Sequence, residues 1–347
     1  MKKLFILSAL IILAGVYAMN NDSVLTLAAQ AIGKETGNAH TIRHTVKSSP
    51  TMDYAVYQRD ALMKRCISLS EAVSYAKNVP HASVRTANGK ALWDNYKAYL
   101  VYQDSKILGD YATYADAAQA ADQVKHTAIY LRDGHKLIRD LDKPLKTSAL
   151  TSVPVIAQMP ELPRGCEVTS LSMLLSSAGI QVDKMTLAGE VKKDDTPYEE
   201  DEDGNVSFGN PNTGFVGAMD TFDKPGLAVY HGPIDELAEK YLPGRILDLS
   251  GADFTDMLVQ VQQGRPVWVI ANVDFDLLPA SAFQTWETPS GPIQITYKEH
   301  SVLVTGYDKD FVYFNDPLTD QKNRKVPRDS FEKAWEQMGH QAITYID

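Results

Sequence analysis

Apolar residues recur at helical spacing, at Val168, Leu171, Leu174, Leu175 and Ala178, through the run from Cys166 to Gly179. Gly179 is a natural stop for such a helix, and Pro163-Arg164-Gly165 is an approach that a continuing helix would not tolerate. Further along, the period shortens. Ser301 to Thr305 and Phe311 to Asn315 are rich in β-branched and aromatic residues, and Asp308-Lys309-Asp310 reads as a turn between two strands. Folding that hairpin about residue 308 or 309 sets position 300 across from positions 316 to 318. His300 and Asp316 then fall side by side at its open end.

A second pattern precedes this one. Residues 54–95 align with 99–140 without a gap, at an offset of 45. Tyr54-Ala-Val-Tyr-Gln58 matches Tyr99-Leu-Val-Tyr-Gln103, and Ala76, Val79, His81, Gly89 and Leu92 match Ala121, Val124, His126, Gly134 and Leu137. Such a period marks a duplicated supersecondary unit. Each copy reads as two short strands, a helix capped by Ser68 or Thr113, a strand, a turn at Asn88-Gly89 or Asp133-Gly134, and a last strand. Cys66 aligns with Tyr111 and reads as a packing position. No second ligand recurs with His81 and His126, so they read as residues closing the helix exit rather than holding metal.

The chain thus divides into residues 1–18, a linker over 19–50, the repeats within 51–143, and a larger domain over 150–347. Asp142 to Ser148 is polar and gives the two domains little reason to share a core. Lys2-Lys3, the uncharged run Leu4 to Val16 and Tyr17-Ala18-Met19 have the layout of a signal peptide. The run is thirteen residues long, short of the roughly twenty that span a bilayer comfortably. An uncleaved N-terminal anchor is the alternative, and only then would the membrane be a partner. Either reading puts the rest outside the cytoplasmic membrane, secreted or associated with the cell envelope.

Charge narrows the partners further. The net charge is −10 with no basic stripe, which argues against nucleic acid. Asp201, Asp203 and Asn205 resemble the start of a calcium loop, but Val206 stands where glycine belongs and Asn212 where glutamate would close the site. That segment reads as a solvated loop, and neither a metal nor another cofactor is expected.

The chemistry centres on Cys166, in the first turn of its helix. Unpaired N–H groups and the positive end of the helix dipole favour thiolate there, which lowers the pKa from its free value of about 8.5. A Cys66–Cys166 disulfide is the competing use of the only two cysteines. It would join two apparent domains and consume the nucleophile. A histidine with a carboxylate beside it, and the side-chain amide of Gln158 eight residues upstream of Cys166, complete the parts of a cysteine nucleophile, its base, its orienter and an oxyanion donor.

The pattern Gln158-x-Pro-Glu-Leu-Pro-x-Gly-Cys166-Glu-x-Thr-Ser-Leu-x-Met-Leu-Leu resembles the bacterial papain-fold cysteine peptidases of family thirty-nine, the bacteriocin-leader-processing type, in its stand-alone branch. The likeness runs over roughly residues 150 to 347 and takes in Asn210 to Gly217, the Gly264 to Ile270 strand, Glu299 to Tyr307 and Asn315-Asp316-Pro317. Exporters of that family carry a transporter and an ATP-binding module as well, whereas no Gly-x-x-x-x-Gly-Lys-Ser/Thr loop occurs here. The resemblance implies Cys166 as nucleophile, His300 as base and acid, Asp316 as orienter and Gln158 as oxyanion donor.

The expected fold is therefore α+β: a papain-like peptidase domain preceded by a small α+β domain of two tandem repeats. The expected function is an extracytoplasmic cysteine peptidase that acts on a peptide or protein substrate. An amidase, deamidase or transpeptidase working on envelope peptides would use the same triad, and a binding protein with idle machinery is a further alternative. For residues 51–143, a binding or positioning module is the default reading, with cell-envelope material as the candidate ligand.

Overall fold

The computed structural model describes residues 53–347, so the expected signal peptide over 1–18 and the expected linker over 19–50 lie outside the described residues. In the first repeat, β1 (Tyr54–Gln58), β2 (Ala61–Cys66), α1 (Leu69–Ala76), β3 (Ala82–Thr86) and β4 (Ala91–Asp94) form an antiparallel sheet ordered β2-β1-β3-β4 with one helix. In the second, β5 (Tyr99–Gln103), β6 (Lys106–Tyr111), α2 (Tyr114–Asp122), β7 (Thr127–Leu131) and β8 (Lys136–Asp140) repeat that order as β6-β5-β7-β8. The Ser68 hydroxyl accepts the Glu71 N–H at 3.2 Å, and the Thr113 hydroxyl accepts that of Asp116 at 3.2 Å, which starts both helices.

Register repeats as well. Tyr54 faces Cys66 as Tyr99 faces Tyr111, and each first hairpin is bulged at the equivalent place, after Val56 and after Val101. The last strands differ. Val84 pairs with Trp93, whereas Ile129 pairs with Arg139, one residue out of step with the gapless alignment. The turns explain the slip. Gly89, at φ +83, makes the first turn, while Asp133–His135 form a short 3-10 turn that ends with His135 at φ +50. His81 and His126 both adopt positive φ at the helix exit, and their carbonyls accept the N–H groups of Arg59 and Asp104 at 2.8 and 3.0 Å.

A seven-stranded sheet organises the remainder. Its elements are β9 (Ala149–Leu150), α3 (Cys166–Ser177), α4 (Lys184–Glu190), α5 (His231–Tyr241), β10 (Ile246–Asp248), α6 (Phe254–Gln262), β11 (Val267–Asn272), β12 (Glu299–Tyr307), β13 (Phe311–Asp316), β14 (Gln321–Pro327), α7 (Arg328–Gln337) and β15 (Ala342–Tyr345). The strands run β10-β15-β11-β12-β13-β14, with β9 paired to β12. Central strands are apolar on both faces because both are covered. Trp268, Ile270 and Leu303 join α3 and α5 in one core, while Val267, Val269, Val302 and Val304 join α6 and α7 in the other.

That second core also contains Tyr99, Tyr114, Ala118, Ile129 and Ile138 of the second repeat. The Tyr114 hydroxyl donates to Asp256 Oδ1 at 2.6 Å, and Arg139 Nη1 lies 2.5 Å from the same oxygen. Even the polar linker is fastened, with the Lys146 N–H donated to Gln262 Oε1 at 2.8 Å. The expectation that the linker leaves the domains without a common core therefore fails for the second repeat. An amphipathic face cannot be left in water, and α6 supplies the cover. The first repeat instead holds its own small core of Val56, Cys66, Ala72, Ala76, Ala82 and Val84.

Candidate active site

Cys166 opens α3, with Gly165 as the residue before the helix. A Cβ at position 165 would meet Leu162 Cβ at 2.6 Å, so only glycine fits where the loop folds against the helix start. The Gly165 carbonyl takes the Thr169 hydroxyl at 2.7 Å, and the Trp268 indole N–H donates to the Glu167 carbonyl at 2.9 Å. Both bonds fasten the first turn to its surroundings.

His300 follows Glu299 at the start of β12, and Asp316 ends β13. The hairpin pairs Leu303 with Asn315 and Val304 with Phe314, close to the register read from its turn. His300 Nε2 lies 2.9 Å from Asp316 Oδ1. The same carboxylate accepts the Leu318 N–H at 2.9 Å and Arg324 Nη1 at 2.7 Å. Burial works against ionisation of Asp316, but the His300 and Arg324 contacts prevail and hold it well below the ordinary carboxylate range. With Nε2 committed to the carboxylate, the free ring nitrogen is Nδ1.

The Gln158 amide is buried, and its Nε2 donates to the Pro163 carbonyl at 2.9 Å. A primary amide has two N–H groups, so one stays available. Gln158, Cys166 and His300 line a single cavity of about 310 Å³ together with Glu299. Exposed Phe222, Tyr297 and Leu318 stand on its walls. Cys66 and Cys166 are both free, so no disulfide consumes the thiol.

The thiol itself departs from expectation. Its side-chain partners are Glu167 Oε2 at 3.3 Å and Glu299 Oε2 at 4.0 Å, the Ser301 backbone N–H also bonds the sulfur, and among the described residues His300 is not a partner. Burial, then the neighbouring Glu167 and Glu299, push the thiol well above its ordinary value, the reverse of the lowering expected from the helix terminus. A helix end acts within one turn on a solvated group; desolvation and two adjacent acids outweigh it. Burial also pushes Glu167 up to about 7, and burial followed by Glu167 raises Glu299 well above the usual range.

One sulfur or oxygen atom from each of Cys166, Glu167 and Glu299 lies within 4.8 Å of the others. Sequence reasoning passed over both glutamates and Arg324. Glu167 and Glu299 were visible only as neighbours of the two reactive residues in the Cys-Glu and Glu-His steps, and nothing in a single chain marks such a neighbour as buried.

The profile described as "Peptidase_C39 like family" matches residues 150–343. The uncharacterized protein YvpB of Bacillus subtilis (strain 168) is 44% identical over 225 residues, which cover 62% of this chain and 86% of that protein. A crystal structure of a candidate C39-like peptidase from Bacillus anthracis is 49% identical, with a TM-score of 0.54, over 58% of this chain and 98% of that one.

Proposed function

The chain belongs to the C39-like peptidase family, and from that premise we propose that it is a cysteine peptidase that cleaves peptide bonds outside the cytoplasmic membrane. One observation carries the reading: Cys166, His300 and Gln158 face a common cavity, with His300 held by a buried, ionised Asp316. His300 turns its Nδ1 toward the cavity that it shares with Cys166 and takes the thiol proton there, and the sulfur attacks the substrate carbonyl. The Cys166 N–H and the second Gln158 N–H receive the developing oxyanion. His300 then protonates the leaving amine, and water releases the acyl group. Asp316 keeps the ring in the tautomer that leaves Nδ1 free and stabilises its cation.

The substrate is a peptide or protein. Phe222, Tyr297 and Leu318 give the cavity apolar walls beside its few polar groups, which suits the side chains of an extended chain. The basic, then uncharged, start of the sequence supports an extracytoplasmic location, and residues 51–143 are proposed to contact cell-envelope material.

The test is turnover on a peptide library by the protein purified from the medium or the envelope. Cys166→Ala is expected to abolish cleavage with the fold kept, His300→Ala to be nearly as damaging, and Gln158→Ala to lower kcat by roughly 10²–10³ with little change in KM. Release of ammonia or of a ligated product without a cut chain would move the reading to an amidase, deamidase or transpeptidase. A Gln158→Ala effect on KM alone would remove the oxyanion role.

A further inference from the structure

Two acids that the catalytic reading does not use lie against its nucleophile. Glu167 is fully buried and follows Cys166 in α3; its Oε1 accepts the Val229 N–H at 2.7 Å and its Oε2 faces the thiol at 3.3 Å. Glu299 reaches the same sulfur from β12, at 4.0 Å, and its other oxygen is buried with no hydrogen-bond partner among the described residues. A bare carboxylate oxygen in that position is costly unless the group carries a proton.

Strand alternation explains why the thiol meets these acids. Val302 and Val304 point into the core under α6 and α7, Leu303 into the core with α3. His300 belongs to the first set, edge-on to Phe275 with ring centroids 6.0 Å apart, and Glu299 to the second, on the side of Cys166. Other charged or titratable groups near the pair are few. The Lys193 ammonium acts on Glu167 from a distance and is itself bonded to the Ala188 carbonyl at 2.9 Å, and the Tyr230 phenol is buried nearby.

We infer that Glu167 and Glu299, which meet the Cys166 sulfur from two sides within a cluster 4.8 Å across, form a carboxyl pair that keeps Cys166 as a thiol at rest and sets the pH at which it ionises. They are positioning residues, since neither needs to touch substrate. When the pair is neutral, a thiolate beside it meets O–H and C=O dipoles and the Ser301 N–H. When the pair loses a proton, its negative charge stands beside the sulfur and opposes ionisation. The S–H proton goes to His300 Nδ1, so the pair regulates a step that it does not itself perform. This rests on the reading of Cys166 as nucleophile, but its test does not require turnover.

The test is alkylation of Cys166 by iodoacetamide as a function of pH, read by peptide mass mapping with Cys66 as internal reference, on the full protein without substrate. Glu299→Gln removes a carboxyl whose free oxygen holds no partner, and Glu167→Gln keeps an acceptor for the Val229 N–H, so both are expected to fold. Each is expected to move the midpoint of Cys166 labelling to lower pH by roughly 1–3 units, the scale of a charge removed at contact distance. An unchanged or raised midpoint in Glu299→Gln, in a protein with the wild-type circular dichroism, overturns the inference. A lowered midpoint in a protein that cleaves no peptide supports the pair and removes the peptidase reading; cleavage with an unmoved midpoint does the opposite.

Discussion

Asp316 and Glu167 are both fully buried acids, and their surroundings shift their ionisation in opposite directions. Asp316 faces a histidine ring, an arginine and two backbone N–H groups, and stays ionised. Glu167 faces two backbone N–H groups, its own and that of Val229, but also a thiol and a second acid, with no arginine or histidine in contact among the described residues, and is pushed up to about 7. Burial is common to both and cannot be the cause of the difference. What decides is the supply of donors and cations, because each must replace the water that the carboxylate has lost.

Asp256, buried beneath the second repeat, makes the comparison sharper. Burial raises it, and Arg139 with the Tyr114 hydroxyl opposes that rise without cancelling it. Both partners belong to the second repeat. A piece limited to residues 148–347 would lose them and uncover the apolar face of α6, so it is expected not to fold cooperatively. Circular dichroism and a thermal melt measure this, and a sharp melt near that of the intact protein would separate the repeat from the peptidase core after all. Removal of the first repeat alone, which has its own small core, is expected to leave that melt largely in place.

The next effect in size falls on Asp316. Asp316→Ala strands the Arg324 charge, which is only partly exposed, and leaves His300 Nε2 without its acceptor. A loss of roughly 3–5 kcal/mol by urea unfolding is expected, with turnover falling towards the His300→Ala level. Asp316→Asn keeps an acceptor for the ring without the charge and should retain more activity. If Ala and Asn behave alike, orientation of His300 does not depend on that acceptor.

These acids also mark where the sequence could and could not be read. The turn at Asp308 to Asp310 and the β-branched strands around it place Asp316 next to His300, because pairing in a hairpin is local geometry. Helical spacing after Gly165 likewise locates Cys166 at a helix start. The repeat period conveys strand order and most of the register, and misses the one-residue slip made by the Asp133–His135 turn. Glu167 and Glu299 lie beyond that reach. Their ionisation depends on what covers them, and contacts such as Val229 to Glu167 join segments 62 residues apart. The union of the second repeat with α6 is hidden for the same reason, since Tyr114 and Asp256 stand 142 residues apart.

The smallest expected effect tests the Glu167 side of the comparison through stability. Its folded pKa, pushed up to about 7, lies above the roughly 4.3 of an unfolded glutamate. A raised folded pKa makes a contribution that is fully present below the unfolded value and fades as pH rises through the folded one, because the unfolded chain releases its proton first. The native protein should therefore lose stability relative to Glu167→Gln between about pH 4.3 and 7 and somewhat beyond. Glutamine has no proton to release, so the gap in Tm between the two proteins should widen in favour of the variant across that window and level off above it. Melts in buffers of matched ionic strength read this directly. A gap that stays constant from pH 5 to pH 8 would mean that Glu167 is already ionised in the fold, and the contrast with Asp316 would then be one of hydrogen-bond number and not of charge.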